Sequence, residues 1–183
     1  MLFLFSLVMS SSSYAQNISY NELVSINWDD YPFSLAELLL EKDFEFYDQT
    51  PLAEILELEE PPRESYYQLT YGYLKEFDLL SAAYVIVDEM NPENSPSSMP
   101  VLKLRFWHQN KSEYTRLTNE IKSSCGEPRS GFYLGDNSTA FIIDKELIDG
   151  EPNYYINLYY LTKEEIDEMQ TLIDSLKQVL KIE

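Results

Sequence analysis

The chain reads as an α+β protein: an antiparallel sheet built from two strand-meander-plus-helix units, with the helices packed on one face. Three observations predict this. Helix starts recur as capping-box spacings at Ser34…Glu37, Asn110…Glu113 and Thr162…Glu165. Runs rich in β-formers lie between them, three before the middle helix and three after it. Asp149-Gly150 joins the last two runs, which is the signature of a two-residue hairpin turn.

Taken in order, Ser34 would accept from the third amide of its helix while Glu37 reaches back, with Phe33 and Leu38 as the hydrophobic staple. A further helix starts at Thr50, with Pro51 at its first position and Leu52, Ile55 and Leu56 on its apolar side. Strands follow over 66–73, 80–87 and 101–107, and segment 91–100 with its three prolines is the tip of a hairpin. In the middle helix Tyr114, Leu117, Ile121 and Cys125 fall on one face, and Gly126 supplies the left-handed stop. Strands over 131–134, 139–147 and 154–161 lead to the last helix. Its apolar residues Ile166, Met169, Ile173, Leu176 and Leu180 recur in steps of three and four, and Lys177 and Lys181 suit its negative end. This element order resembles the tandem helix-and-sheet repeats of secreted bacterial inhibitor proteins of the β-lactamase-inhibitory kind. The resemblance carries no shared motif, residue or function.

Residues 1–15 have the form of a signal peptide. An apolar run (Leu2, Phe3, Leu4, Phe5, Leu7, Val8) is followed by serines and by Ser13-Tyr14-Ala15, whose small residues suit cleavage after Ala15. The run is too short to span a bilayer, and the only cysteine, Cys125, is not at the cleavage point, so no lipid anchor is expected. Residues 16–183 then form a single domain, in which Pro61-Pro62 sets off a smaller subregion, 16–62, from the main sheet, 63–183. The expected location is outside the cytoplasm, periplasmic or secreted. One cysteine permits no internal disulfide, so the core alone must stabilise the domain.

Charge narrows the partners. Thirteen basic residues against 32 acidic ones leave a formal net charge of −19, which repels phosphate backbones and anionic headgroups. Nucleic-acid and membrane-surface roles are therefore not expected, and 14% aromatic residues argue against disorder.

Chemistry finds little purchase in the sequence. Cys125 and His108 are single representatives of their types, but Cys125 falls in the last helical turn, where the dipole opposes a thiolate. With one His and one Cys a zinc site would be carboxylate-rich, which that metal rarely accepts. The run from Asp144 to Gly150 fails as a calcium loop, because Ile148 takes the fifth position and the glycine comes one residue late. Acidic pairs (Asp29-Asp30, Glu59-Glu60, Asp88-Glu89, Glu164-Glu165) read as solvated surface rather than as the acid and base of a glycosidase. No G-x-S-x-G, P-loop or G-x-G-x-x-G is present, and no cofactor is expected.

One pattern outlasts these eliminations. If Leu102, Leu104 and Phe106 face the helices, strand alternation turns Lys103, Arg105 and Trp107 the other way. Tyr155, Asn157 and Tyr159 then line the same outer face, and Tyr66, Gln68 and Thr70 extend it. Amphipathic aromatics with a few polar anchors suit protein or sugar recognition. The competing reading is that another segment, such as 17–62, covers this face and makes it a second core. On this basis the sequence is read as an exported, non-enzymatic binding protein that uses the aromatic sheet face for a protein or glycan. A carboxylate-based glycan hydrolase or a structural envelope component are the alternatives.

Overall fold

A computed structural model describes residues 17–51, 66–75, 78–88 and 100–180. Seven strands form one wholly antiparallel sheet: β1 (Glu45–Pro51), β2 (Tyr66–Lys75), β3 (Asp78–Asp88), β4 (Leu102–Phe106), β5 (Tyr133–Leu134), β6 (Thr139–Ile148) and β7 (Glu151–Tyr160). Their order across the sheet is 1-2-3-4-7-6-5, so β4 and β7 are the seam where the outgoing and returning meanders meet. Among the described residues four α-helices accompany them: α1 (Tyr20–Val24), α2 (Tyr31–Glu41), α3 (Lys111–Cys125) and α4 (Lys163–Leu180). The α+β class with an antiparallel sheet is thus as the sequence implies. Among the described residues the two halves are unequal, with four strands before α3 and three after it.

The main core lies on one face. Leu102, Leu104 and Phe106 of β4 and Tyr154, Ile156 and Leu158 of β7 meet Leu23 of α1, Leu35 and Leu39 of α2, and Leu117 and Ile121 of α3. Burying each such aliphatic side chain is worth about 1.5–3 kcal/mol. Tyr31 enters the same core fully buried and donates its hydroxyl to the Ile86 carbonyl at 2.7 Å.

α4 departs from the expectation that the helices share one face. Its Ile166 packs with Ala140 and Leu161, and Tyr159 joins them. Ala140 pairs with Tyr159 across the ladder while their neighbours Phe141 and Leu158 pair in the main core, so alternation places this cluster on the opposite face. Apolar surface at that corner is what the helix covers: Phe132, Leu134 and Tyr159 pack against the cluster, and Met169 of α4 joins Ile166 there.

The helix starts also need correcting. α2 begins at Tyr31, with Pro32 inside its first turn, so Ser34 and Glu37 lie within the helix rather than at its cap, and Phe33 faces solvent. Anchoring of Tyr31 in the core moves the start one turn earlier than the Ser34 spacing implies. A capping box is instead found at α1: Ser19 N–H donates to Glu22 Oε2 at 2.8 Å, and Glu22 N–H donates to Ser19 Oγ at 3.3 Å. Asn110 does precede α3, but its side chain donates to Ser81 Oγ at 2.7 Å in the interior and caps nothing. The Thr162…Glu165 box forms as read. Thr50 and Pro51 end strand β1 instead of opening a helix; the rest of that expected helix, and the 91–100 tip except Pro100, lie outside the described residues. At the β6–β7 turn both Asp149 (φ 53°) and Gly150 (φ 82°) take the left-handed conformation that a type I′ turn requires.

Candidate functional site

The register at the seam builds the candidate surface. Lys103 sits opposite Asn157 and Arg105 opposite Tyr155. On the other side of β4, Lys103 faces Tyr84 and Arg105 faces Ala82. All of these alternate away from the main core. The described part of 17–62 does not cover them, because Ile18, Leu23, Tyr31, Leu35, Leu39 and Phe44 pack on the core side.

Arg105 organises the cluster. Its guanidinium carbon lies 4.4 Å from the centroid of the Trp107 ring and 6.0 Å from that of Tyr155. Its Nε and Nη2 both donate to Asn153 Oδ1, at 3.0 and 2.8 Å. Asn153 is held in turn by Nδ2 donating to the Glu151 carbonyl at 3.1 Å. Lys103 Nζ stands 4.3 Å from the centroid of the Tyr155 ring. Two cations therefore lie against aromatic faces, a contact worth about 0.5–1 kcal/mol at exposed sites and more where water is excluded.

Tyr155 is the floor of the cluster rather than part of its surface, being only 3% exposed. Burial pushes its phenol up, the Arg105 cation opposes this, and Glu146, through its charge and as hydrogen-bond acceptor, adds to the rise. Lys103, Arg105, Trp107 and Asn157 are half-buried and form the accessible layer. Tyr159 stands apart. It meets Phe132 edge-on at 5.4 Å in the α4 cluster, and burial followed by the Asp144 charge raises its phenol. The structure thus gathers Lys103, Arg105, Trp107, Tyr155 and Asn157, and assigns Tyr159 to the α4 cluster. Tyr66 forms a separate small cluster with Ile86 on β2 and β3.

Sequence reasoning overlooked Asn153 and Glu146. Their signal was present: counting back from the Asp149-Gly150 turn pairs Glu146 with Asn153 and Asp144 with Tyr155. Asn153 occupies the Nε–Nη2 edge of Arg105, and the guanidinium has three further N–H donors at its Nη1–Nη2 end.

Other candidates resolve into structure. Cys125 is half-buried at the end of α3, packed against the core. Burial raises its thiol, a hydrogen bond from Tyr20 draws it down, and Asp136 raises it again. Glu165 is consumed by the α4 cap. Among the described residues no three metal-binding side chains come together, and no described helix is long and apolar enough to cross a membrane. Comparison with known proteins finds no matching family model, no similar curated protein and no similar solved structure.

Proposed function

We propose that the protein is an exported, non-enzymatic binding protein that recognises a protein or glycan through the Lys103–Arg105–Trp107–Asn157 surface. The observation that carries this reading is the pair of cations held over Tyr155 and Trp107 on a chain of net charge −19. A rare basic patch on an acidic molecule, preorganised on rigid strands, suits a ligand with acidic groups and an apolar or ring face. Export rests on the apolar run and the Ser13-Tyr14-Ala15 sequence.

Site-directed photo-crosslinking tests the reading. A photoreactive phenylalanine analogue at Trp107, in protein produced by its native host, should yield discrete adducts or label a specific glycan. The same analogue at exposed Glu127 should not, and Lys103→Glu should abolish the Trp107 adducts. Equal labelling from both positions would remove the sheet face as the recognition surface.

A further inference from the structure

A second surface lies on α2, independent of the sheet face. Phe33 is 72% exposed and Leu40 56% exposed, and seven residues of α-helix bring them to nearly the same side. With Ala36 between them they line a shallow recess whose other wall is Glu37 and Glu41. Those two glutamates also border a second recess, closed by Glu22, Ser25 and Ser34. They therefore form a ridge, with an apolar trough on one side and a mixed recess, lined also by Ile26 and Leu38, on the other.

Single exposed apolar residues are ordinary, but this arrangement is unfavourable in three respects at once. Glu37 and Glu41 repel each other across one helical turn. Glu41 also ends α2, and no basic residue occupies that last turn to offset the helix dipole. The adjacent cation, Lys42, is drawn away to Glu22, and among the described residues neither Glu37 nor Glu41 has an ion-pair partner. A ligand with cations beside an apolar stripe would relieve all three.

We propose that this face of α2 docks a basic amphipathic segment of a partner protein. Its apolar side chains would lie over Phe33 and Leu40, and its Lys or Arg residues would meet Glu37 and Glu41. A second copy of the chain is a poorer occupant, since it would bring the same glutamates and the same net charge of −19 against themselves.

The probe is a synthetic amphipathic Leu/Lys helical peptide, with a Leu/Glu peptide of the same pattern as its control, each titrated by fluorescence anisotropy at physiological salt. The Leu/Lys peptide should bind and the Leu/Glu peptide should not. Phe33→Ser with Leu40→Ser should weaken binding tenfold or more while leaving the melting temperature nearly unchanged. Glu37→Lys with Glu41→Lys should weaken it as much, whereas Glu164→Lys with Glu168→Lys, an equal charge change on exposed positions of α4, should not. Four results would overturn the proposal. The α4 variant losing as much affinity would indicate mere charge attraction, and an unaffected Phe33/Leu40 variant would mean the trough is not used. A melting temperature lowered by many degrees would mean that this chain itself covers the face. Self-association of the wild type that is lost in the Phe33/Leu40 variant would give the surface to a second copy.

Discussion

Arg105 and Tyr155 divide the labour of the sheet face between a held cation and a buried ring, and the difference can be measured. Tyr155 is almost wholly enclosed, so Tyr155→Ala should cost about 3–5 kcal/mol in urea unfolding, the range for removing a buried aromatic. Trp107 is half-buried beneath the Arg105 guanidinium, so Trp107→Ala should cost distinctly less. Equal losses would show that Trp107 is core, and the surface available to a partner would shrink to Lys103, Arg105 and Asn157. Arg105→Ala carries a different penalty, because it strips Asn153 Oδ1 of both its donors inside the protein; about 1–3 kcal/mol is expected. Cys125 supplies a second prediction at this scale. Burial holds its thiol above the ordinary range, with Tyr20 opposing and Asp136 reinforcing, so little thiolate exists near neutral pH. Labelling by a thiol reagent at pH 7.5 should be slow in the folded protein and fast in denaturant; rapid native labelling would reopen nucleophilic chemistry at this residue.

Capping decides how well the helices could be read. Thr162…Glu165 was legible because nothing competes for its groups: the Thr162 N–H and hydroxyl both donate to Glu165 Oε2, at 2.7 and 2.8 Å. Ser34…Glu37 has the same spacing and misleads, since burying Tyr31 is worth more than a cap one turn later. Strand β1 was illegible for a related reason. Its sequence, EFYDQTP, has no clean alternation, a bulge interrupts its pairing between Phe46 and Asp48, and it is a largely exposed edge. Tyr47 nonetheless packs over Gly72 so closely that a Cβ there would lie 2.7 Å from the Tyr47 ring, and a glycine in a strand is the only trace this contact leaves in the sequence. The α1 cap carries a pH signature. Burial alone would raise the Glu22 carboxyl, but Lys42 and the Ser19 N–H and hydroxyl outweigh it and hold it below its usual value. A depressed acid stabilises the fold at pH above its unfolded value, near 4.5, and that contribution is lost as pH falls through the folded value. Glu22→Gln should therefore lower stability at pH 7, and the gap between variant and wild type should close as pH falls from 4.5 through the lower folded value. A gap that stays constant with pH would mean the loss comes from packing rather than charge.

At the scale of the molecule, the strand alternation that orients Lys103 and Arg105 was legible because Leu102, Leu104 and Phe106 form an unbroken apolar series on a central strand. The seam between β4 and β7 was not, because no local pattern specifies which non-adjacent strands pair. The proposed export is checked by N-terminal sequencing of the mature protein, which should begin at Gln16; a cytoplasmic product retaining residues 1–15 would refute it. Charge gives the last prediction. With net charge −19, the folded state concentrates negative charge that the unfolded chain spreads over a larger volume, so self-repulsion opposes folding. Ion pairs that salt would weaken are few among the described residues: Lys42–Glu22, Arg116 with Glu113 and Glu120, and a loose Arg129–Asp167 contact at 3.9 Å. Only Arg129–Asp167 is well exposed, the others being half-buried but still reached by solvent; pairs at the surface are worth about 0–1 kcal/mol each, so screening removes more repulsion than attraction. Raising sodium chloride from 10 to 100 mM shortens the screening length from about 30 to about 10 Å. The melting temperature at pH 7 should therefore rise over that interval. Most of the gain should appear there, because repulsion among well-separated surface charges is the first to be screened. A melting temperature that falls with added chloride would show that the few ion pairs outweigh the excess charge.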